Sequence, residues 1–192
     1  MSEKEWVASF VARLEVAFAS HALPSVTIKV TPGQKLPYAC SIDEYQSDGA
    51  AMMNHSSVYE TDILISDVFE TGGWIPRIVV ECKLGGITTH DALTYSAKAA
   101  THKQIHPYLR YGFLAGSQDG IPVRLVKHGA YFDFMATWQK EEPSASEWKF
   151  LLETLGSEIL VSRELQMLLK SSRSRERIKY QGMHRPLKFT RQ

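Results

Sequence analysis

The chain has 192 residues, 44% of them hydrophobic and 22% charged, with a net charge of +1. That suffices for one well-buried domain and falls short of two, and the balance excludes disordered, collagenous and membrane-embedded classes. No apolar run approaches membrane-spanning length, and Met1-Ser2-Glu3-Lys4-Glu5-Trp6 does not read as a secretory leader. Two cysteines, Cys40 and Cys82, allow no disulfide framework and no CxxC zinc pair, so a reducing, cytoplasmic setting is expected.

In chain order, Glu3 to Ser20 is predicted to be an amphipathic helix. Trp6, Phe10, Leu14 and Phe18 recur on one stripe with Val7 and Val11 beside it, and Ser2 with Glu5 forms a capping box. Val26 to Val30 reads as a short strand. Thr31 to Asn54, rich in Pro, Gly, Ser and Asp, reads as an irregular segment of the functional-loop kind, with Lys35 and Tyr38 as its contact residues. Asp62 to Val68 and Ile75 to Leu84 are predicted strands around the turn-like Glu70-Thr71-Gly72-Gly73-Trp74. Thr88 or Thr89 then caps a helix to about Ile105, ended by the restriction that Pro107 places on His106. Along that helix Asp91, Tyr95, Lys98 and His102 share one side. His102 and His106 form an HxxxH pair, but no third zinc ligand is evident.

Tyr111 to Ala115 is a short apolar strand, which a β-α-β crossover sets parallel to the Ile75–Leu84 run. Val123 to Val126 and Ala130 to Met135 read as later strands, and Ser144 or Ser146 starts a final helix reaching about Lys170, with Gly156 inside it. This order fits a mixed α/β sandwich on a central sheet. Residues 1–170 are expected to form one domain and 171–192 a basic C-terminal tail. From Lys170 to Gln192 the charge is +7, leaving −6 for the rest. Such a tail suits phosphate contacts or simple solvation, and Tyr180, His184 and Phe189 interleave it.

The chemistry concentrates at Asp62 and Glu81-Cys82-Lys83. If Gly72-Gly73 is a two-residue hairpin turn, Asp62 faces Lys83 and Leu64 faces Glu81. Because side chains alternate, Asp62, Glu81 and Lys83 then share one face, while Cys82 points with Val80 to the other. Carboxylate oxygens are the ligands Mg2+ prefers, and a bound ion of this kind polarises a phosphodiester and orients a water. Lys83 is placed to position that water or to help deprotonate it.

These residues resemble the PD-(D/E)XK nuclease superfamily. Asp62 stands for the first acid and Glu81-Cys82-Lys83 for the (D/E)XK element, over roughly Tyr59 to Ala115; Thr61 occupies the place of the proline that names the motif. The resemblance implies a restriction-endonuclease-like three-layer α/β sandwich with a central mixed β-sheet. It implies a Mg2+-dependent DNA endonuclease, with Mn2+ as a substitute, whose ion is held by Asp62, Glu81 and the Cys82 carbonyl. It further implies a first-helix carboxylate, assigned to Glu15, and supporting residues Lys98 and Tyr95 on the following helix. The small size looks most like a type II restriction enzyme acting on double-stranded DNA, and two-strand cleavage then calls for a homodimer with no membrane association. The rival readings are a structure-specific repair or recombination nuclease, a nicking subunit that needs a partner, and an inactive DNA-binding scaffold.

Overall fold

The computed structural model describes residues 1–19 and 25–171. Its elements run α1 (Glu3–Phe18), β1 (Val26–Pro32), β2 (Lys35–Tyr45), β3 (Ala51–Glu60), β4 (Ile63–Phe69) and β5 (Trp74–Leu84). They continue as α2 (Thr89–Ile105), β6 (Arg110–Gly116), α3 (Val123–His128), β7 (Phe134–Thr137) and α4 (Ala145–Ser171). The basic segment 172–192 lies outside the described residues. Among those described, no helix is long and apolar enough to cross a membrane.

A mixed five-stranded sheet, ordered β1-β4-β5-β6-β7, forms the centre: β1, β4 and β5 pair antiparallel, and β5, β6 and β7 pair parallel. Helices cover both faces. On one, Trp6, Phe10, Leu14 and Phe18 of α1 meet Leu151, Leu155 and Ile159 of α4 over Ile63, Ile65, Ile78, Val80 and Cys82. On the other, Ala92 and Ala99 of α2 and Leu125 of α3 pack over Leu64, Val79, Tyr111, Phe113 and Ala115. The alternation of β5 therefore sends Cys82 into the α1/α4 core and Glu81 to the α2 face.

Local chemistry explains most of these boundaries. Ser2 and Glu5 close the expected capping box on α1, and Thr88 and Asp91 close another on α2. Ser144 and Glu147 exchange the same pair of bonds at the start of α4. At the far end of the sheet, Asp67 accepts from Arg77 at 2.7 Å and from Arg163 at 2.6 Å, while Arg77 also donates to Gln166. That buried cluster fixes the second half of α4 against β4 and β5.

Three expectations are corrected. Thr31 to Asn54 is not irregular; most of it lies in a hairpin, β2 paired with β3, whose turn closes through Gln46, Asp48 and Gly49 (φ +83°). Its polar composition concealed strands because cross-strand pairing, rather than residue propensity, holds them. Val123 to Val126 is helical. Pro122 starts the turn, Leu125 alone is buried, and Val123 and Val126 face solvent, so the period-two burial of a strand is absent.

The third correction is the β4–β5 register. The turn spans residues 70–72, closed by Phe69 N–H to the Gly73 carbonyl at 2.9 Å, with Gly72 at φ +83°. Ser66, Asp67 and Val68 accordingly face Pro76, Ile75 and Trp74, whereas Ile63, Leu64 and Ile65 face Val80, Val79 and Ile78. Arg77 is thus an extra residue, a β-bulge beside Pro76, which has no N–H for the ladder. Carried on unchanged from the turn, the ladder would set Asp62 opposite Val80, with Glu81 on the reverse face. The bulge restores the parity, and Asp62 stands opposite Glu81 instead of Lys83.

Candidate functional site

Asp62 lies at the entrance to β4, half-buried, and accepts a 2.7 Å hydrogen bond from the Cys82 N–H. Paired residues of an antiparallel ladder exchange both backbone bonds, so one residue's N–H and C=O point to the same edge. The Cys82 carbonyl is therefore directed toward the edge that Asp62 occupies. Glu81 has no exposed surface. Its Oε1 accepts from the Tyr111 hydroxyl at 2.7 Å, and its Oε2 carries no hydrogen bond, with Lys98 Nζ at 3.7 Å.

Two carboxylates brought together out of water resist ionisation. Burial, then repulsion from Asp62, pushes the Glu81 carboxyl up to about 7, against the opposing pull of Lys98 and Tyr111. Burial likewise raises Asp62 above the ordinary carboxylate range, despite the Cys82 N–H and Lys98. Burial, then the charges of Asp62 and Glu81, raises the Tyr95 hydroxyl. Lys98, 3.7 Å from Glu81, offsets the two charges only in part.

A divalent ion would complete that balance. Asp62, Glu81 Oε2 and the Cys82 carbonyl supply oxygen donors on one edge, and Mg2+ characteristically takes few protein carboxylates and keeps water and phosphate oxygens for the rest. Among the described residues no group of three or more His, Cys, Asp or Glu side chains is gathered as a metal cluster, so the side-chain donors number two.

Other predicted residues fall differently. Lys83 Nζ lies 3.6 Å from Glu3 rather than against the acidic pair. Glu15 is exposed on α1, three turns beyond the end that reaches the site. The first-helix carboxylate at this end of the sheet is Glu3, which also accepts from the Leu84 N–H at 3.0 Å. On α2, Lys98 faces Glu81, and its ammonium lies 5.3 Å from the Tyr95 ring centre and 5.7 Å from that of Tyr59. Asp91 belongs to the helix cap. His102 is buried against Tyr59 and Tyr111 with Nε2 3.2 Å from the Leu36 carbonyl; burial pushes it down to about 4, a neutral core histidine.

Sequence reasoning missed Glu3, Tyr59 and Tyr111. Glu3 was visible only as the start of the first helix, and Tyr111 only as the start of an apolar strand. The signal for Tyr111 is the parallel register, Val79 with Tyr111, which places its ring on the Glu81 side one step before Phe113.

No model of a known protein family matches the chain, and no curated protein matches it significantly.

Proposed function

We propose that this protein is a Mg2+-dependent DNA endonuclease with Asp62, Glu81 and Lys83 at its active site, on the restriction-endonuclease-like plan. The observation that carries the reading is the pair of carboxylates, Asp62 half-buried and tied to the Cys82 N–H and Glu81 fully buried, at the end of a central mixed sheet. Asp62, Glu81 and the Cys82 carbonyl would hold the ion, which when bound supplies Lewis-acid polarisation of the phosphodiester and neutralises the leaving oxygen.

The chain's own residues do the remainder. Tyr111 anchors Glu81 by Oε1 and leaves Oε2 free for the site. Lys98 balances the buried charge from the α2 side. Lys83, tethered by Glu3, holds the attacking water for in-line displacement at phosphorus, with the P–O bond to the sugar breaking as the new P–O bond forms. Glu3 takes the first-helix position that the resemblance assigned to Glu15. A type II restriction enzyme acting as a homodimer on duplex DNA is the particular form that the chain's size favours. A structure-directed nuclease is the second reading, favoured by an aromatic pair beside the site.

The test is incubation with plasmid and phage DNA in Mg2+, Mn2+ or EDTA. Cleavage is expected in either metal and absent in EDTA; Glu81→Gln abolishes it, and Lys83→Ala slows it by about a hundredfold or more. Discrete fragments favour sequence-specific restriction, whereas attack confined to gaps, flaps or tails favours structure-directed cleavage. Failure of all substrates to be cut in either metal would overturn the enzymatic reading and leave a DNA-binding scaffold.

A further inference from the structure

The β2–β3 hairpin is built unevenly. Its base is in the core, with Leu36 buried among Leu64, Val79, Ala99 and Tyr111. Beyond Tyr38, Ala39, Cys40, Ser41, Glu44 and Tyr45 of β2 are exposed. At the boundary, Pro37 faces Val58 and Ala39 faces Ser57, so Tyr38 opposes no residue of β3. A bulge of this kind re-aims a side chain, and such bulges are common beside active sites. Here it turns the Tyr38 ring onto Tyr59, with centroids 3.8 Å apart and planes within 11°.

That stack continues toward the carboxylates. The Lys98 ammonium lies 5.7 Å from the Tyr59 ring centre and 3.7 Å from Glu81 Oε2. Contacts therefore lead from Tyr38 through Tyr59 and Lys98 to Glu81. One face of Tyr38 is covered by Tyr59, so the exposure it retains belongs to its outer face and edge. The charge beside Tyr38 is balanced, Lys35 and Glu60 being exposed and paired across the base of the hairpin, with Glu44 and Asp48 exposed toward its tip. A surface that is aromatic and has no cationic excess takes bases by their faces rather than a duplex by its charge.

We propose that Tyr38 and Tyr59 form a nucleobase-stacking subsite, so that the strand entering the carboxylate site is unpaired there. A base laid on Tyr38 extends the Tyr38–Tyr59 stack and leads its strand past Lys98 to Asp62 and Glu81. A base inside an intact duplex has both faces covered by its neighbours and cannot do this, so single strands, flaps and frayed ends are the substrate class, as in the structure-directed reading and not in duplex restriction. The inference rests on the nuclease reading for what happens to the strand, but the binding it requires does not depend on catalysis.

The test is fluorescence anisotropy of the full chain in EDTA, with a fluorescein-labelled oligothymidylate and a blunt mixed-sequence duplex of equal length. The oligothymidylate is expected to bind more tightly than the duplex. Tyr38→Ala weakens it by about tenfold or more, the scale of one lost base–aromatic stack, and leaves duplex binding unchanged. Tyr38→Trp retains affinity, and its added indole emission is quenched on binding. Thermal melting of both variants separates a lost ring from a lost fold. Equal binding by Tyr38→Ala and wild type, equal loss on both probes, or no quenching in Tyr38→Trp would overturn the subsite. If duplex DNA is cut in Mg2+ equally by wild type and Tyr38→Ala, the nuclease reading stands and the subsite falls. If Tyr38-dependent binding holds while no DNA is cut in any metal, the subsite stands and the nuclease reading falls.

Discussion

Glu81 is the residue on which the site turns, and its behaviour can be read without any substrate. Its carboxyl is raised from 4.5 to about 7 by burial and by Asp62. A raised acid favours the folded state in its protonated form, so this contribution is complete below pH 4.5 and is lost as pH rises through about 7. His102, held neutral and pushed down to about 4, has the opposite slope over an overlapping window, being lost as pH falls below 6.5. Comparing Glu81→Gln with wild type cancels the histidine, since both proteins carry it. The stability advantage of Glu81→Gln in EDTA is therefore expected to grow by about 3 kcal/mol between pH 4.5 and 7, then level off. Urea melts across that range check it, and a pH-independent difference would show that folding leaves the Glu81 carboxyl unshifted. Added Mg2+ should reverse the trend at pH 8, stabilising wild type and leaving Glu81→Gln unmoved.

At the scale of elements, the sheet is fixed by close approach as much as by pairing. A Cβ added at Gly112 of β6 would stand 2.0 Å from the Phe134 ring, and one at Gly116 would stand 2.7 Å from Trp6. Phe134 belongs to β7 and packs over the glycine, so the aromatic fills the space that a side chain on β6 would need. Gly112→Ala is expected to destabilise the fold by about 1–3 kcal/mol through overpacking, and Phe134→Leu in the same chain to recover part of that. Chemical denaturation of the single and double variants measures both. The Asp67, Arg77 and Arg163 cluster is a second such device. Removing the Asp67 carboxylate leaves two guanidinium groups facing each other in a largely buried space, so Asp67→Ala should lower stability by about 3–5 kcal/mol. In circular dichroism melts, Arg163→Met should lose less, because Asp67 keeps Arg77. The bulge at Arg77 joins this cluster to the carboxylate pair: the residue that anchors α4 is also the insertion that brings Asp62 across from Glu81.

Over the whole molecule, charge is divided between the body and the C-terminal segment. Residues 172–192 carry +6, in a chain whose net charge is +1. Cations that neutralise phosphates release counterions and make affinity fall with salt, whereas stacking is nearly indifferent to it. Deleting residues 172–192 should therefore flatten the dependence of DNA affinity on salt while preserving Tyr38-dependent binding. An unchanged salt slope after deletion would remove the tail from the proposed nucleic-acid interface.

The elements that the sequence determined by itself are those in which neighbouring residues decide the outcome. The α1 stripe, the caps at Ser2, Thr88 and Ser144, the end of α2 before Pro107 and the apolar runs of β4, β5 and β6 depend on contacts within a few residues. The pairing of Asp62 with Glu81 on one face was also legible, because an error of two residues in register preserves the side-chain period. Only the tertiary structure decided the rest. It exchanged Lys83 for Glu81 opposite Asp62, through a turn at 70–72 and a bulge at Arg77 whose shifts partly offset one another. It chose Glu3 over Glu15, because the end of α1 that meets the sheet is set by packing against α4 and β5, not by the stripe. It brought Lys98 and Tyr111 onto Glu81 from elements 17 and 30 residues away. It made β2 and β3 from residues with little strand propensity, since a ladder between distant segments is stabilised by pairing that no local pattern records. Local propensity is written along the chain; the depth at which a carboxylate is buried, and which cation reaches it, depends on contacts formed only when the chain has folded.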